Sequence, residues 1–185
     1  MSTLILLSGG VDSLVVAETL RRSGHKVAAV FFDYDHPARA QEEQAVLAYT
    51  GAHSIPLVVR HLLLSGMGEM NAPIGESGPR VVPARNLVFI ASAANLALAR
   101  GHAEIAFGAN RGDAAGYADC REGFVNAADS LCAFLGVRVR APLVSVDKAE
   151  IVRRAQAWNL SWWSCYTPTA EGLPCQKCHA CAALR

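Results

Sequence analysis

Two segments, one near each end of the chain, carry residue types and spacings that can do chemistry. In the first, Ser8-Gly9-Gly10-Val11-Asp12-Ser13 follows an apolar run and opens a helical pattern. Placed there, the backbone N–H groups of this loop, Val11 included, and the positive end of the helix converge on an anion, and phosphate is the natural guest. Gly9 and Gly10 let the backbone approach the oxygens, Ser8 and Ser13 offer hydroxyls, and Asp12 can hold a magnesium ion beside them. The spacing is not that of a Walker loop, since no lysine follows to reach the outer phosphates. The competing reading is a tight strand-to-helix turn capped by serine and aspartate.

In the second segment, Cys165 precedes Cys175-x-x-Cys178-x-x-Cys181. Four thiolates suit one tetrahedral zinc ion, and four protein ligands leave no open position for water, so the metal is expected to be structural. An iron–sulfur cluster is the rival, because the repeated two-residue spacing also occurs in ferredoxin-like runs. His179 lies inside this run and is read as a neighbour of the ligands or a solvent-facing residue. Cys132 falls on an apolar helical face and reads as core.

The elements that must position these segments follow from periodicity. Short apolar runs at Leu4–Leu7, Val27–Phe32, Ser54–Val59, Glu104–Phe107 and Val137–Val139 predict strands. Between them, apolar recurrence at three and four residues predicts helices over Asp12–Ser23, Ala38–Thr50, Asn86–Arg100, Glu122–Leu135 and Lys148–Trp158. Gly24, Gly51, Gly101 and Gly136 follow as left-handed helix ends. Such alternation predicts an α/β fold, a single doubly wound, mostly parallel, Rossmann-like sheet with a ligand crevice at the strand C-termini. Residues 1–160 would form this domain and residues 161–185 a zinc-binding tail packed on it. The Gly- and Pro-rich loop over 61–82 reads as a lid or as an insertion.

Composition narrows the function classes. With 185 residues, 52% of them apolar and 18% charged, the chain has the length and side chains for one buried core and is not disordered. Seventeen basic and sixteen acidic residues leave a net charge of +1, which provides no general field toward nucleic acid or anionic membrane. Neither a secretory leader nor a run of the ~20 apolar residues that a membrane span needs is visible, so a soluble cytoplasmic protein is expected.

The Ser-Gly-Gly-x-Asp-Ser loop resembles that of the ATP pyrophosphatase superfamily, whose fold is of the adenine nucleotide α-hydrolase type. With it stand Phe32-Asp33-Tyr34, Val82-Pro83-Ala84-Arg85-Asn86, Gly116-Tyr117-Ala118-Asp119-Cys120-Arg121, Asp147-Lys148-Ala149-Glu150 and the four cysteines. Together these resemble the 7-cyano-7-deazaguanine synthase family over nearly the whole chain. The resemblance implies a ligase that turns 7-carboxy-7-deazaguanine and ammonia into the nitrile through an amide, cleaving ATP to AMP and pyrophosphate, with zinc and magnesium as its ions. It also implies a homodimer. The sequence departs from the family's Phe-Asp-Tyr-Gly-Gln at Asp35-His36-Pro37, from Pro-Gly-Arg-Asn at Ala84, and from Pro-Asp-Cys-Arg at Ala118.

On that reading Asp113 or Asp119 accepts from the guanine edge, Tyr117 stacks, and Arg121 forks the substrate carboxylate; loop salt bridges or caps are the alternative. Arg85 and Lys148, with Asp12, neutralise charge on the phosphates or the acyl adenylate, or else pair at the surface. Asp33 contacts adenosine or caps a turn, and Cys120 is a nucleophile or a small core residue. A paralogue could stop at the amide or hand the activated carboxylate to another amine. A transfer-RNA ligase on the same loop would need a basic groove, and a non-catalytic zinc ribbon would need more basic flanks than Lys177 provides.

Overall fold

A computed structural model describes residues 2–64 and 82–182. Along them run β1 (Ser2–Leu6), α1 (Val11–Arg22), β2 (Lys26–Asp33), α2 (Arg39–Ala52) and β3 (Leu57–His61). They are followed by α3 (Arg85–Arg100), β4 (Glu104–Ala106), α4 (Glu122–Ala133), β5 (Arg138–Arg140), α5 (Lys148–Ala157) and a short α6 (His179–Ala182). All four strand pairings are parallel, in the order β3-β2-β1-β4-β5. Most of the loop over 61–82 lies outside the described residues. Among the described residues, no helix is long and apolar enough to cross a membrane.

Strand parity explains the two layers. Successive side chains of a strand face opposite ways, so Leu4 and Leu6 join Val30, Phe32, Ile105 and Phe107 against α3 and α4. Ile5 and Leu7 point the other way and, with Ala29, Phe31 and Ala106, bury the apolar stripes of α1, α2 and α5. Right-handed crossovers place helices on alternate faces in this manner. β1 is central, and the chain reverses its winding between β1 and β4, the switch point where a doubly wound sheet opens a crevice.

Two expected boundaries move for local reasons. The third strand begins at Leu57 rather than Ser54, because Ser54 takes a left-handed φ of 52° and the Ile55 N–H returns to the Thr50 carbonyl at 2.9 Å to close α2. Gly51 therefore lies inside the helix instead of ending it, while Gly24, Gly101 and Gly136 do take left-handed φ. The tail is also anchored more firmly than its lack of periodicity suggests: Trp158, Leu160 and Trp162 pack against the apolar cluster of α1 and α5.

The outer side of α1 carries a buried charge. Glu18 is 2% exposed and meets Arg21 at 2.8 Å, Arg22 at 2.6 Å and the Tyr49 hydroxyl at 3.0 Å. The hydrogen bond from Arg21 outweighs the cost of burial and, with those from Arg22 and Tyr49, holds the carboxyl down at about 2.

Candidate active site

The phosphate loop keeps its shape through its own hydroxyls. Ser13 Oγ donates to the Gly10 carbonyl at 2.9 Å and accepts from the Ser8 N–H at 3.2 Å and the Ser8 hydroxyl at 3.2 Å. No side chain caps α1, so the first N–H groups of that helix are not taken by a serine or aspartate cap. The competing turn-and-cap reading therefore lacks its cap. Two glycines make the loop's close contacts possible. At Gly9, with φ of 77°, an added Cβ would lie 2.4 Å from the Glu42 carbonyl oxygen. At Gly108, just after β4, it would lie 2.9 Å from the Ser13 nitrogen, so any side chain there would push the β4 loop off the start of α1.

This junction opens into a cleft of about 810 Å³ at the C-terminal ends of β1, β2 and β4. Ser8, Gly10, Val11, Asp12 and Ser13 line one end. Lys148, at the start of α5, places its Nζ 2.5 Å from Asp12 Oδ2, which joins two residues 136 positions apart. Arg85, at the start of α3, faces the cleft and donates to the Tyr34 hydroxyl at 3.1 Å. Asp113, Tyr117 and Asp119 line it as well. Burial, and then the charge of Asp12, push the Asp113 carboxyl up. Asp119 also accepts from the Asn86 N–H at 3.2 Å and so holds the start of α3.

Two expected site residues are placed elsewhere. Asp33, 2% exposed, is taken up by Arg39 at 2.6 Å and His61 at 3.1 Å and is not on the cleft wall. Its pairs hold the end of β2 to α2 and β3, and its Oδ1 accepts the Asp35 N–H at 3.2 Å, as a turn cap does. Arg121 is exposed, donates to the Ala114 carbonyl at 3.0 Å and is likewise off the wall. Among the described residues, Arg85 is the guanidinium that lines the cleft. Cys120 does line it, but burial and the neighbouring Asp119 and Asp113 push its thiol up to about 12, so it stays protonated at neutral pH and is a poor nucleophile.

Several wall residues escaped the sequence reading. Asn110, fully buried, bridges Asp12 and Asp113; its position one short step after β4, at a strand C-terminus, was the available signal. His36 pairs with Glu42 at 2.8 Å and stacks on Tyr34 with ring centroids 4.2 Å apart. Glu42 comes from the first turn of α2, and no local pattern marks it. Trp163, Ser164, Tyr166 and His179 bring the cysteine tail onto the cleft wall, and the Trp163 N–H donates to the Gly9 carbonyl at 3.0 Å.

The four cysteines gather as their spacing requires. The Sγ atoms of Cys165, Cys175, Cys178 and Cys181 lie within 4.8 Å of one another, and the group could hold a metal ion. N–H groups of Cys178 and Lys177 point at Cys175 Sγ at 3.4 and 3.5 Å, and the Cys175 N–H points at Cys165 Sγ at 3.2 Å. Such donors stabilise thiolates.

Comparison with known proteins agrees with this geometry. Residues 2–185 match the family described as queuosine biosynthesis protein QueC. The 7-cyano-7-deazaguanine synthase 1 of Sphingopyxis alaskensis is 36% identical over 205 residues, covering 100% of this chain and 92% of the relative. The 7-cyano-7-deazaguanine synthase of a Synechococcus species is 34% identical over 211 residues, covering 100% of this chain and 94% of the relative. Among solved structures, the U34-tRNA thiolase NcsA from Methanococcus maripaludis, which has a [4Fe-4S] cluster, superposes with a TM-score of 0.62 at 16% identity, over 92% of this chain and 60% of that one. The NH3-dependent NAD synthetase of Campylobacter jejuni gives a TM-score of 0.54 at 18% identity, over 86% of this chain and 64% of that one. These two likenesses speak for the fold. Loop, cleft and cysteine cluster thus sit on a chain that belongs, over nearly its full length, to the QueC family of 7-cyano-7-deazaguanine synthases.

Proposed function

We propose that this enzyme converts 7-carboxy-7-deazaguanine and ammonia to 7-cyano-7-deazaguanine through an amide, cutting ATP to AMP and pyrophosphate at each of two activation steps. The observation that carries this reading is convergence: an uncapped anion loop, two cations and the Tyr117–Asp119 wall share one cleft of about 810 Å³. Such a cleft is large enough for a nucleotide and a bicyclic acceptor side by side.

In this reading the Ser8–Ser13 loop grips the pyrophosphate. Lys148 and Arg85 neutralise charge as a carboxylate oxygen of the acceptor attacks the α-phosphorus and pyrophosphate leaves. Asp12 would hold magnesium, which supplies further charge neutralisation to the phosphates when bound. Asp113 and Asp119 accept from the guanine edge and Tyr117 lies against the ring. Cys165, Cys175, Cys178 and Cys181 would hold one structural zinc ion, which fixes the tail as a wall. Protein incubated with ATP, ammonium and 7-carboxy-7-deazaguanine should release AMP and the nitrile. ADP in place of AMP would sink the adenylation step.

A second reading is favoured by one observation. His36, Ala84 and Ala118, one residue from each of the three segments that depart from the family pattern, line the cleft. An enzyme with an altered acceptor wall could adenylate the same carboxylate and stop at the amide or pass it to another amine. Mass spectrometry of the product separates the two, because amide and nitrile differ by one water.

A further inference from the structure

We infer that Asn110 is a positioning residue of this site, its side-chain amide holding Asp12 and Asp113 in register with one another. The inference rests on the adenylation reading for what the two carboxylates do, but not for the geometry. Asn110 follows β4 and its side chain is fully buried. Its Nδ2 donates to Asp12 Oδ1 at 3.1 Å and to Asp113 Oδ2 at 2.6 Å, so both amide protons are used. Its Oδ1 accepts the Asp113 N–H at 3.0 Å. Carboxylates only accept and a backbone N–H only donates, so this network leaves the amide one orientation.

The neighbours leave the amide little room to relax. An added Cβ at Gly112 would come 3.2 Å from Asn110 Oδ1, and one at Gly108 would collide with the start of α1. Lys148 holds the other oxygen of Asp12. A hydrogen-bonded line Lys148–Asp12–Asn110–Asp113 therefore runs along the cleft, and Asn110 is the link that joins the two carboxylates. Without a donor between them, two acidic groups this near would repel and turn apart.

The isosteric Asn110→Asp variant separates positioning from loop structure. Aspartate keeps the size and the acceptor for the Asp113 N–H, but it loses both amide donors and adds charge. A purely structural role predicts near-normal turnover, whereas positioning predicts that kcat/KM for AMP release falls about 10²-fold, the scale expected when reacting groups shift by an ångström. Asn110→Ala should fall similarly, yet cost only a few-fold once Asp113→Asn is already present, because contacting groups are not additive.

Binding of MgATP by calorimetry, with no acceptor present, should weaken roughly tenfold in Asn110→Asp, as loss of a charged hydrogen bond implies. If wild type binds MgATP but makes no AMP with the deazaguanine, the functional reading fails, and the calorimetric ratio alone decides the role of Asn110. Unchanged turnover or unchanged MgATP affinity in folded Asn110→Asp, or in folded Asn110→Ala should the first variant not fold, overturns the inference.

Discussion

The phosphate loop and the cysteine tail are built on opposite principles and meet at one hydrogen bond. The loop is held by close backbone packing: Gly9 against Glu42, Gly108 against Ser13, and serine hydroxyls turned inward. The tail, beyond the anchor of Trp162, relies on four sulfurs that mutually repel as thiolates unless a cation joins them. Their point of contact is the Trp163 N–H on the Gly9 carbonyl, with Trp163 Nε1 returning to the Cys165 carbonyl at 2.7 Å. The difference teaches that a segment with no apolar periodicity of its own can still supply part of the cleft wall.

The largest effect should follow from breaking the tail. Cys178→Ser should lose the metal, disorder the tail and lower the melting temperature, since structural zinc sites contribute on the order of 10 kcal/mol to the folding of small metal-held segments. Because the tail supplies part of the cleft wall, ATP affinity should fall with it. Metal content and calorimetry on the same sample check this. Full metal content, or ATP binding untouched by metal loss, would break the proposed link between the two regions.

Striking the loop instead should spare the tail. Asp12→Asn is expected to keep the fold and the metal but to cost about 10²- to 10³-fold in turnover, the scale of losing one charge-stabilising group at a reacting phosphate. Steady-state AMP release measures it, and a rate near wild type would remove Asp12 from the site.

Smaller effects test the supports. Glu18→Gln, on α1 but off the cleft wall, should lower stability by about 2 kcal/mol through its lost charged hydrogen bonds while leaving turnover per folded molecule intact. Glu18 has a depressed folded-state pKa, so its stabilisation is full above the ordinary carboxylate range and is lost as the pH falls toward about 2. Acid unfolding of the variant should be correspondingly less steep, which a pH titration followed by circular dichroism would read.

The smallest change concerns Ala84, which starts α3 with a left-handed φ of 53° where the family pattern has glycine. Ala84→Gly should gain about 0.5 kcal/mol, the relief of left-handed strain less the added freedom of the unfolded chain. A fall in melting temperature would show that the methyl group packs usefully on the wall.

The contrast between the regions also explains what could be read in advance. The loop and the cysteine cluster are contiguous or closely spaced, so Ser8, Asp12, Ser13 and the four sulfurs announce themselves by type and interval. The alternation of short apolar runs with helical patterns made the doubly wound fold legible in the same way. The rest of the cleft wall is assembled from the ends of β2, β4, α2, α3 and the tail, and no interval in the sequence records that Asn110 meets Asp12 98 residues away. Asp33 and Arg121 stood in motifs with suitable chemistry, yet which neighbour claims a charged side chain is a matter of packing: Arg39 and His61 occupy one, and the Ala114 carbonyl the other.

The central claim, that a carboxylate oxygen of the acceptor attacks the α-phosphorus of ATP, is tested most directly by following that oxygen. With both carboxylate oxygens of 7-carboxy-7-deazaguanine labelled with the heavy isotope, each AMP should leave carrying one label, and a nitrile product should retain none. An amide product would keep one label, with its single AMP carrying the other. Unlabelled AMP, or label in pyrophosphate, would contradict the account.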